Sequence, residues 1–208
     1  MFRETASRFY PVVDADICRE RSLDPRAIAV ACFRAGARLL QLRVKSGSSA
    51  GFLALATGIV LSGRASGATV IVNDRADIAR MSNAGGIHVG QEDLTPAEVR
   101  AIAGPALVGL STHDEAQVAQ GLASTADYLA VGPVFGTATK DTGYGARGLG
   151  FVRNAAGRGK PIVAIGGITL DRAPSVIASG AAAVAVITDL LTSGDPETRA
   201  RHYLRVLA

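Results

Sequence analysis

Short runs of β-branched and other apolar residues alternate along the chain with Ala-rich stretches of helical period. The apolar runs predict strands over 9–13, 38–42, 69–72, 87–89, 107–110, 128–131, 161–165 and 183–187. Helical segments are expected near 25–36, 49–64, 75–83, 95–103, 114–123, 148–157, 170–179 and 196–207. Eight strands, each followed by a helix, form the pattern of an α/β fold of the (β/α)8 TIM barrel type. At 208 residues the chain lies at the small end for that fold, so its connections must be short. No Pro- or Ser-rich linker divides it, and residues 1–208 read as a single domain. An open doubly wound sheet is the competing architecture. Eight regular units without a topological switch point favour the barrel. One connection is long, Gly132 to Gly148, "GPVFGTATKDTGYGARG". A long Gly- and Thr-rich loop inside a compact barrel is expected to be functional or mobile.

In a barrel all strand C-termini open on one face, which holds the active site. The strand ends therefore carry the candidate chemistry. Strand two ends in "QLRVK", where Gln41, Arg43 and Lys45 alternate and share a face while the chain stays extended. An amide, a guanidinium and an ammonium pointing together suit a polyanion such as pyrophosphate; the plainer reading makes Arg43 and Lys45 solvated loop charges. Asp74 and Asp93 close strands three and four, which puts two carboxylates side by side at the mouth. Mg2+ takes a few carboxylates together with water and phosphate oxygens. The alternative is that Asp74 caps the helix starting at Arg75 while Asp93 pairs with an arginine. Ser111 and Thr112 after strand five offer either N-caps or hydroxyls to a ligand, and His113 reads as a helix-start residue. Thr137, Thr139 and Lys140 bring hydroxyls and an ammonium into the long loop, which lacks the spacing of a Walker loop. Gly166-Gly167 and Ile187-Thr188 follow strands seven and eight, the usual phosphate site of such barrels. The mouth thus carries two anion sites, and two phosphorylated substrates are the natural inference.

Composition narrows this further. Hydrophobic residues make up 48% and charged residues 19%, as in a globular chain rather than a disordered one. The longest apolar runs fall short of a membrane span. The first residues, MFRETASRFYPVVD, lack the apolar stretch of a signal peptide, and a cytoplasmic location is expected. Cys18 and Cys32 have no metal-ligand spacing and are expected to be reduced. The net charge of +4 is spread over scattered arginines, and aromatics are only 5%, so nucleic acid is not the expected partner. Lys45, Lys140 and Lys160 are the only lysines in a chain that otherwise uses arginine, and a lysine there marks a need for a compact point charge. Small-molecule substrates are expected, with no membrane partner and a homo-oligomer left open.

With these residues in view, the chain resembles the thiamine-phosphate synthase family. The likeness runs from Tyr10 to Ile187 and rests on the ordered motifs "QLRVK", "VNDRADIA", "GGIHVGQEDL", "GLSTHDEAQ", "ADYLAVGPVFGTATK" and "VAIGGI". The resemblance implies a (β/α)8 barrel that joins hydroxymethylpyrimidine pyrophosphate to thiazole phosphate and releases pyrophosphate. It assigns Gln41, Arg43, Lys45, Asn73, Ser111 and Lys140 to the pyrimidine pyrophosphate, and Asp74 and Asp93 to Mg2+. It assigns Thr137, Ala138, Thr139, Gly167, Ile187 and Thr188 to the thiazole phosphate. Mg2+, Arg43, Lys45 and Lys140 would then stabilise the leaving group, with Ser111 counted among the catalytic residues, since in the family C–O cleavage leads and the thiazole nitrogen captures a pyrimidine-methyl cation. No strong general base is required. Three positions depart from the pattern: Gly136 stands where Pro is common, Thr188 where Ser is usual, and Ala182-Ala183 where an acidic residue is common. The stretch "VVDADICRER" after strand one is not a close match.

Three readings compete on the same barrel. A thiazole tautomerase moves a proton and needs neither metal nor pyrophosphate; His113 is compatible with it, while Lys45 and "TATK" favour the synthase. A non-catalytic phosphate-ligand-binding barrel would bind both ligands without turnover, and the full set of charged strand ends argues against it. A phosphosugar isomerase or epimerase would use Gly167 and Thr188 and leave Lys45, Asp93 and Lys140 idle.

Overall fold

The computed structural model describes residues 7–136 and 143–208. Eight parallel strands close on themselves in chain order: β1 (Phe9–Asp14), β2 (Leu39–Arg43), β3 (Thr69–Asn73), β4 (Gly86–Val89), β5 (Leu107–Thr112), β6 (Tyr128–Val131), β7 (Ile162–Ile165) and β8 (Ala183–Val186). β8 pairs back onto β1, with Phe9 opposite Val184. The sequence-predicted barrel is the observed architecture, and no open sheet edge remains among these strands.

The connecting helices are α1 (Ala15–Glu20), α2 (Pro25–Ala35), α3 (Ser49–Ala65), α4 (Ala76–Met81), α5 (Pro96–Ala103), α6 (Glu115–Ala123), α7 (Gly148–Ala155), α8 (Ala173–Ala178) and α9 (Pro196–Val206). Their ends carry ordinary local signals. Asp24 caps α2, Pro25 opens it, and Gly36 closes it at φ +108°. Thr95 and Glu98 form a reciprocal capping box at α5. Helix α1 is the element that hydrophobic period did not predict. It is six residues long, and its start is fixed by Asp14, whose Oδ1 accepts the N–H groups of Asp16 and Ile17 at 3.0 and 3.1 Å. No helix of the described residues is long and apolar enough to cross a membrane.

Strand alternation sorts the side chains into two cores. Outward residues such as Phe9, Val13, Leu40, Leu42, Val70, Val72, Ile87, Val89 and Leu129 pack under the helices. Inward residues Tyr10, Val12, Leu39, Ile71, Leu107, Tyr128, Val163, Ala183 and Ala185 fill the lumen. Both faces of each strand are covered, which is why the strands read as near-continuous apolar runs. One step further along β2, β3, β4 and β5, the inward positions turn polar: Gln41, Arg43, Asn73, His88 and Ser111. The lumen is therefore a packed plug with a polar upper layer, as barrel enzymes require. Cys18 and Cys32 belong to the outer core. Burial pushes their thiols up, to about 11 and about 12, so they act as small packing groups.

One glycine makes a close approach possible. His88, Gly109 and Tyr128 lie level on β4, β5 and β6. A Cβ on Gly109 would stand 2.1 Å from the Tyr128 ring and 2.4 Å from His88 Nδ1. The two rings stack across that gap with centroids 5.6 Å apart. Gly109→Ala is expected to lower stability by about 1–3 kcal/mol, the usual cost of overpacking a filled core. A thermal melt reads this directly, and an unchanged Tm would mean that the rings part without penalty.

Candidate functional site

The mouth is built upward from the strand ends. On β2 the inward alternation continues past the strand, so Gln41, Arg43 and Lys45 all line one cavity of about 830 Å3. Arg43 is ion-paired with Asp14, whose residue is 2% exposed. Because Asp14 also caps α1, that guanidinium is tied to both β1 and the first helix. Lys45 donates from Nζ to Asp74 Oδ2 at 2.5 Å, and its backbone N–H donates to Asp16 Oδ2 at 2.8 Å. Asp16 further accepts from Arg19 and Ser46. The "QLRVK" segment is thus held by acidic groups from β1, α1 and the end of β3.

Asp74 does not cap the helix after β3. Helix α4 starts at Ala76, and its N-cap position is Arg75, with no side-chain cap bond. Asp74 sits instead at φ +63°, in the left-handed region, with its N–H donated to His88 O at 2.8 Å. Such a conformation is costly for a residue with a Cβ and is typical of sites where a side chain must be aimed. Among the described residues Asp93 pairs with no arginine. Its Oδ2 accepts the Gly90 N–H at 2.8 Å, folding the turn after β4 back on itself. Burial raises the Asp74 carboxyl; Lys45 opposes that shift, and the hydrogen-bonding and charge of the adjacent Asp93 add to it. The two carboxylates are therefore neighbours at the rim beside Lys45. Among the described residues no group of three or more His, Cys, Asp or Glu could hold a metal ion. Two hard oxygen donors beside a basic cluster fit Mg2+ in the manner in which it keeps waters and takes its other ligands from a substrate phosphate.

Across the mouth, β6, β7 and β8 bring backbone rather than charge. Gly166 and Gly167 have φ +101° and +61°. A Cβ on Gly166 would meet Pro133 Cα at 2.6 Å, and one on Gly167 would meet Gly136 O at 2.4 Å. The glycine pair thus lets the loops after β6 and β7 run against each other, a requirement that its conformation and its packing share. Ile187 follows β8 and leads into the 3-10 turn Thr188–Leu191. That turn is pinned from below: Asp189 accepts a two-pronged pair from Arg199, with Nη2–Oδ2 at 2.7 Å, and a further bond from the Tyr203 hydroxyl. Gly167, Ile187 and Thr188 line the same cavity as Gln41, Arg43, Lys45, Asn73 and Ser111. Thr137, Ala138, Thr139 and Lys140 lie outside the described residues.

His113 lines the cavity from the start of the segment before α6. Its Nδ1 is 2.7 Å from Gly132 O, its N–H donates to Gln117 Oε1, and its ring stacks on Tyr144 at 4.9 Å. These contacts tie it to the loop ends, as the helix-start reading expects. Sequence reasoning missed four polar residues of the site. Asp14 was hidden in a stretch without family likeness. Tyr10, His88 and Tyr128 read as strand interior, yet their polar atoms meet in the lumen, with the Tyr10 and Tyr128 hydroxyls 3.0 Å apart. The glycine at position 109, level with a histidine and a tyrosine on the flanking strands, is the signal that could have found them.

Comparison with known proteins adds an independent line. A family model described as thiamine monophosphate synthase matches residues 9–190. A thiamine-phosphate synthase from Koribacter versatilis (strain Ellin345) is 42% identical over 206 residues, covering 96% of this chain and 95% of that protein. A thiamine-phosphate synthase from Chloroflexus aurantiacus (strain ATCC 29366 / DSM 635 / J-10-fl) is 38% identical over 203 residues, covering 96% and 92%. In structure, the chain is similar to a thiamine phosphate pyrophosphorylase from Pyrococcus furiosus, with a TM-score of 0.88 over 98% of this chain and 97% of that one, at 24% identity.

Proposed function

The chain belongs to the thiamine monophosphate synthase family, and from that membership and the geometry of the mouth we propose that it joins hydroxymethylpyrimidine pyrophosphate to thiazole phosphate. It is a transferase that forms thiamine phosphate. The observation that supports the residue-level reading is one cavity lined on one side by Arg43 and Lys45, with Asp74 paired to Lys45 at the rim, and by Gly166, Gly167 and Thr188 on the other.

In this reading Arg43 and Lys45 hold the pyrophosphate, while Gln41, Asn73 and Ser111 orient the pyrimidine. Thr188 and the backbone of Gly167 and Ile187 hold the thiazole phosphate, which sets the ring nitrogen toward the pyrimidine methylene. The C–O bond to pyrophosphate breaks, its electron pair leaves with the pyrophosphate, and the thiazole nitrogen pair forms the new C–N bond. No proton is moved, which matches a mouth built from cations and hydroxyls rather than around a base. Arg43 and Lys45 stabilise the charge that grows on the leaving group, the electrostatic contribution that dominates such steps, and the two subsites supply proximity. Asp74 and Asp93 would hold Mg2+, which when bound supplies further neutralisation of the pyrophosphate. The ammonium of Lys45, already against Asp74 at 2.5 Å, then spans the carboxylates and the pyrophosphate. The tautomerase and non-catalytic readings are not favoured, since the relatives are synthases and His113 is engaged with Gly132 and Tyr144.

The test is an assay of the purified protein with both substrates and Mg2+. Thiamine phosphate and pyrophosphate are expected in equal amounts. Folded protein that binds both substrates without forming product would support the binding-barrel reading instead.

A further inference from the structure

Below the two anion sites, the lumen holds a continuous line of polar atoms whose middle members, Tyr10, Tyr128 and His88, have no role in the reading above. Gln41 Nε2 donates to the Tyr10 hydroxyl at 3.1 Å. Tyr10 and Tyr128 hydroxyls are 3.0 Å apart. The Tyr128 hydroxyl is 3.1 Å from His88 Nδ1, and His88 Nε2 is 2.9 Å from Ser111 Oγ. The line crosses the barrel from β2 to β5, and both of its ends line the cavity.

We infer that this line is a polarised relay in which Tyr10, Tyr128 and His88 are positioning residues that present Ser111 as a hydrogen-bond donor and Gln41 as an acceptor to the bound pyrimidine pyrophosphate. The inference rests on the reading above that this substrate occupies the mouth. The sense of the relay follows from the Gln41 amide nitrogen, which lies on the Tyr10 hydroxyl. Gln41 uses an N–H on Tyr10, so the amide oxygen is the group it offers a ligand. Tyr10 passes its single proton to Tyr128, and Tyr128 passes its own to His88 Nδ1. Nδ1 is then an acceptor, and a neutral imidazole carries its proton on Nε2. Nε2–H donates to Ser111 Oγ, which leaves the serine proton to point into the cavity. Burial pushes both phenols far above their usual range, so they remain protonated links.

The surroundings hold the relay in place. Tyr10 and Tyr128 are fully buried, and their rings meet edge to face at 6.2 Å. Gly109 vacates the lumen so that His88 and Tyr128 can meet. The opposite sense is chemically complete as well: with Gln41 accepting, every bond reverses, His88 carries its proton on Nδ1, and Ser111 donates to Nε2 instead of to a ligand. The position of one proton on His88 therefore reports the relay.

The experiment combines 15N NMR of histidine-labelled protein with steady-state kinetics. Wild type is expected to show His88 as the neutral Nε2–H tautomer at neutral pH, assigned by comparison with His113→Asn and His202→Asn. In Tyr128→Phe that preference should be lost. Its kcat should fall by about 10-fold, the usual cost of removing a supporting hydrogen bond, with KM for thiazole phosphate within about 2-fold of wild type. In a Ser111→Ala background the same Tyr128→Phe change should cost less than about 2-fold, since both act through one proton. A His88 proton on Nδ1, an imidazolium, or an undiminished penalty in the Ser111→Ala background would overturn the relay. If Tyr128→Phe does not fold, Tyr10→Phe cuts the same line one link earlier and should shift the tautomer in the same direction. A wild type without synthase activity would defeat the functional reading, while the tautomer would still decide the relay.

Discussion

Arg43→Met is expected to lower kcat/KM by about 1000-fold, the upper range for losing a preorganised charge at a leaving group, and to destabilise the fold by about 2–3 kcal/mol. Both losses come from one contact. Asp14 is ion-paired with Arg43 and is nearly inaccessible to solvent. Removing the guanidinium leaves a buried carboxylate without its countercharge. Breaking such pairs typically costs about 3–5 kcal/mol. The figure is reduced here because Asp14 keeps two N–H donors at the start of α1. Methionine retains most of the packed stem, so the deficit reports charge rather than a cavity. The double variant Asp14→Asn/Arg43→Met separates the two roles: neutralising the orphaned partner should restore most of the stability, read by urea unfolding, and none of the activity. Near-normal turnover in Arg43→Met would remove the guanidinium from the leaving-group site. Equal recovery of stability and activity in the double variant would reduce Arg43 to a structural ion pair.

That contact also marks the limit of what the chain discloses before folding. The alternation of Gln41, Arg43 and Lys45 was legible, because a strand of period two fixes which residues share a face, and all three line the cavity. The neighbourhood of Asp74 and Asp93 was legible for a related reason: consecutive strands of a barrel end side by side. The partner of Arg43 was not. Asp14 closes β1 and opens a six-residue helix, too short for a periodic signal, and its dual role depends on a register of β1 against β2 that sets Asp14 opposite Arg43. Element boundaries shifted where local geometry overrode hydrophobicity. The apolar run of the last strand extends to Ile187, but the backbone turns there to φ −112° and ψ −85° to open the 3-10 turn. The Gly166-Gly167 pair was legible as a place of close approach. Its counterpart was not: the Gly132–Gly136 backbone fills the space that side chains on those glycines would need. The lumen tyrosines were read as apolar filling because strand position predicts burial well and says nothing of where a hydroxyl finds its partner.

Asp93→Ala is expected to lower turnover by about 100-fold at saturating Mg2+, the scale of losing a few kcal/mol of leaving-group stabilisation, while leaving the fold intact. The side chain holds no helix cap and no ion pair in the described contacts; it accepts the Gly90 N–H in a surface turn and lies against the Asp74 carboxyl, so its removal should cost the fold little. Its chemical weight lies in its nearness to Asp74, whose carboxyl it raises. Two carboxylates held that close repel each other unless a cation lies between or beside them. Lys45 supplies part of that charge in the structure, and the left-handed backbone at Asp74 keeps the carboxyl aimed there. Asp93→Ala should therefore weaken Mg2+ dependence itself: the concentration of Mg2+ giving half-maximal rate should rise, and addition of EDTA should slow the variant by a smaller factor than it slows wild type. Asp93→Asn, which keeps the shape and the turn but drops the charge, should resemble the alanine variant. A variant with near-normal turnover and an unchanged Mg2+ response would leave Asp93 as a turn-forming residue and require the metal, if the reaction uses one, to be held by Asp74 and the pyrophosphate alone.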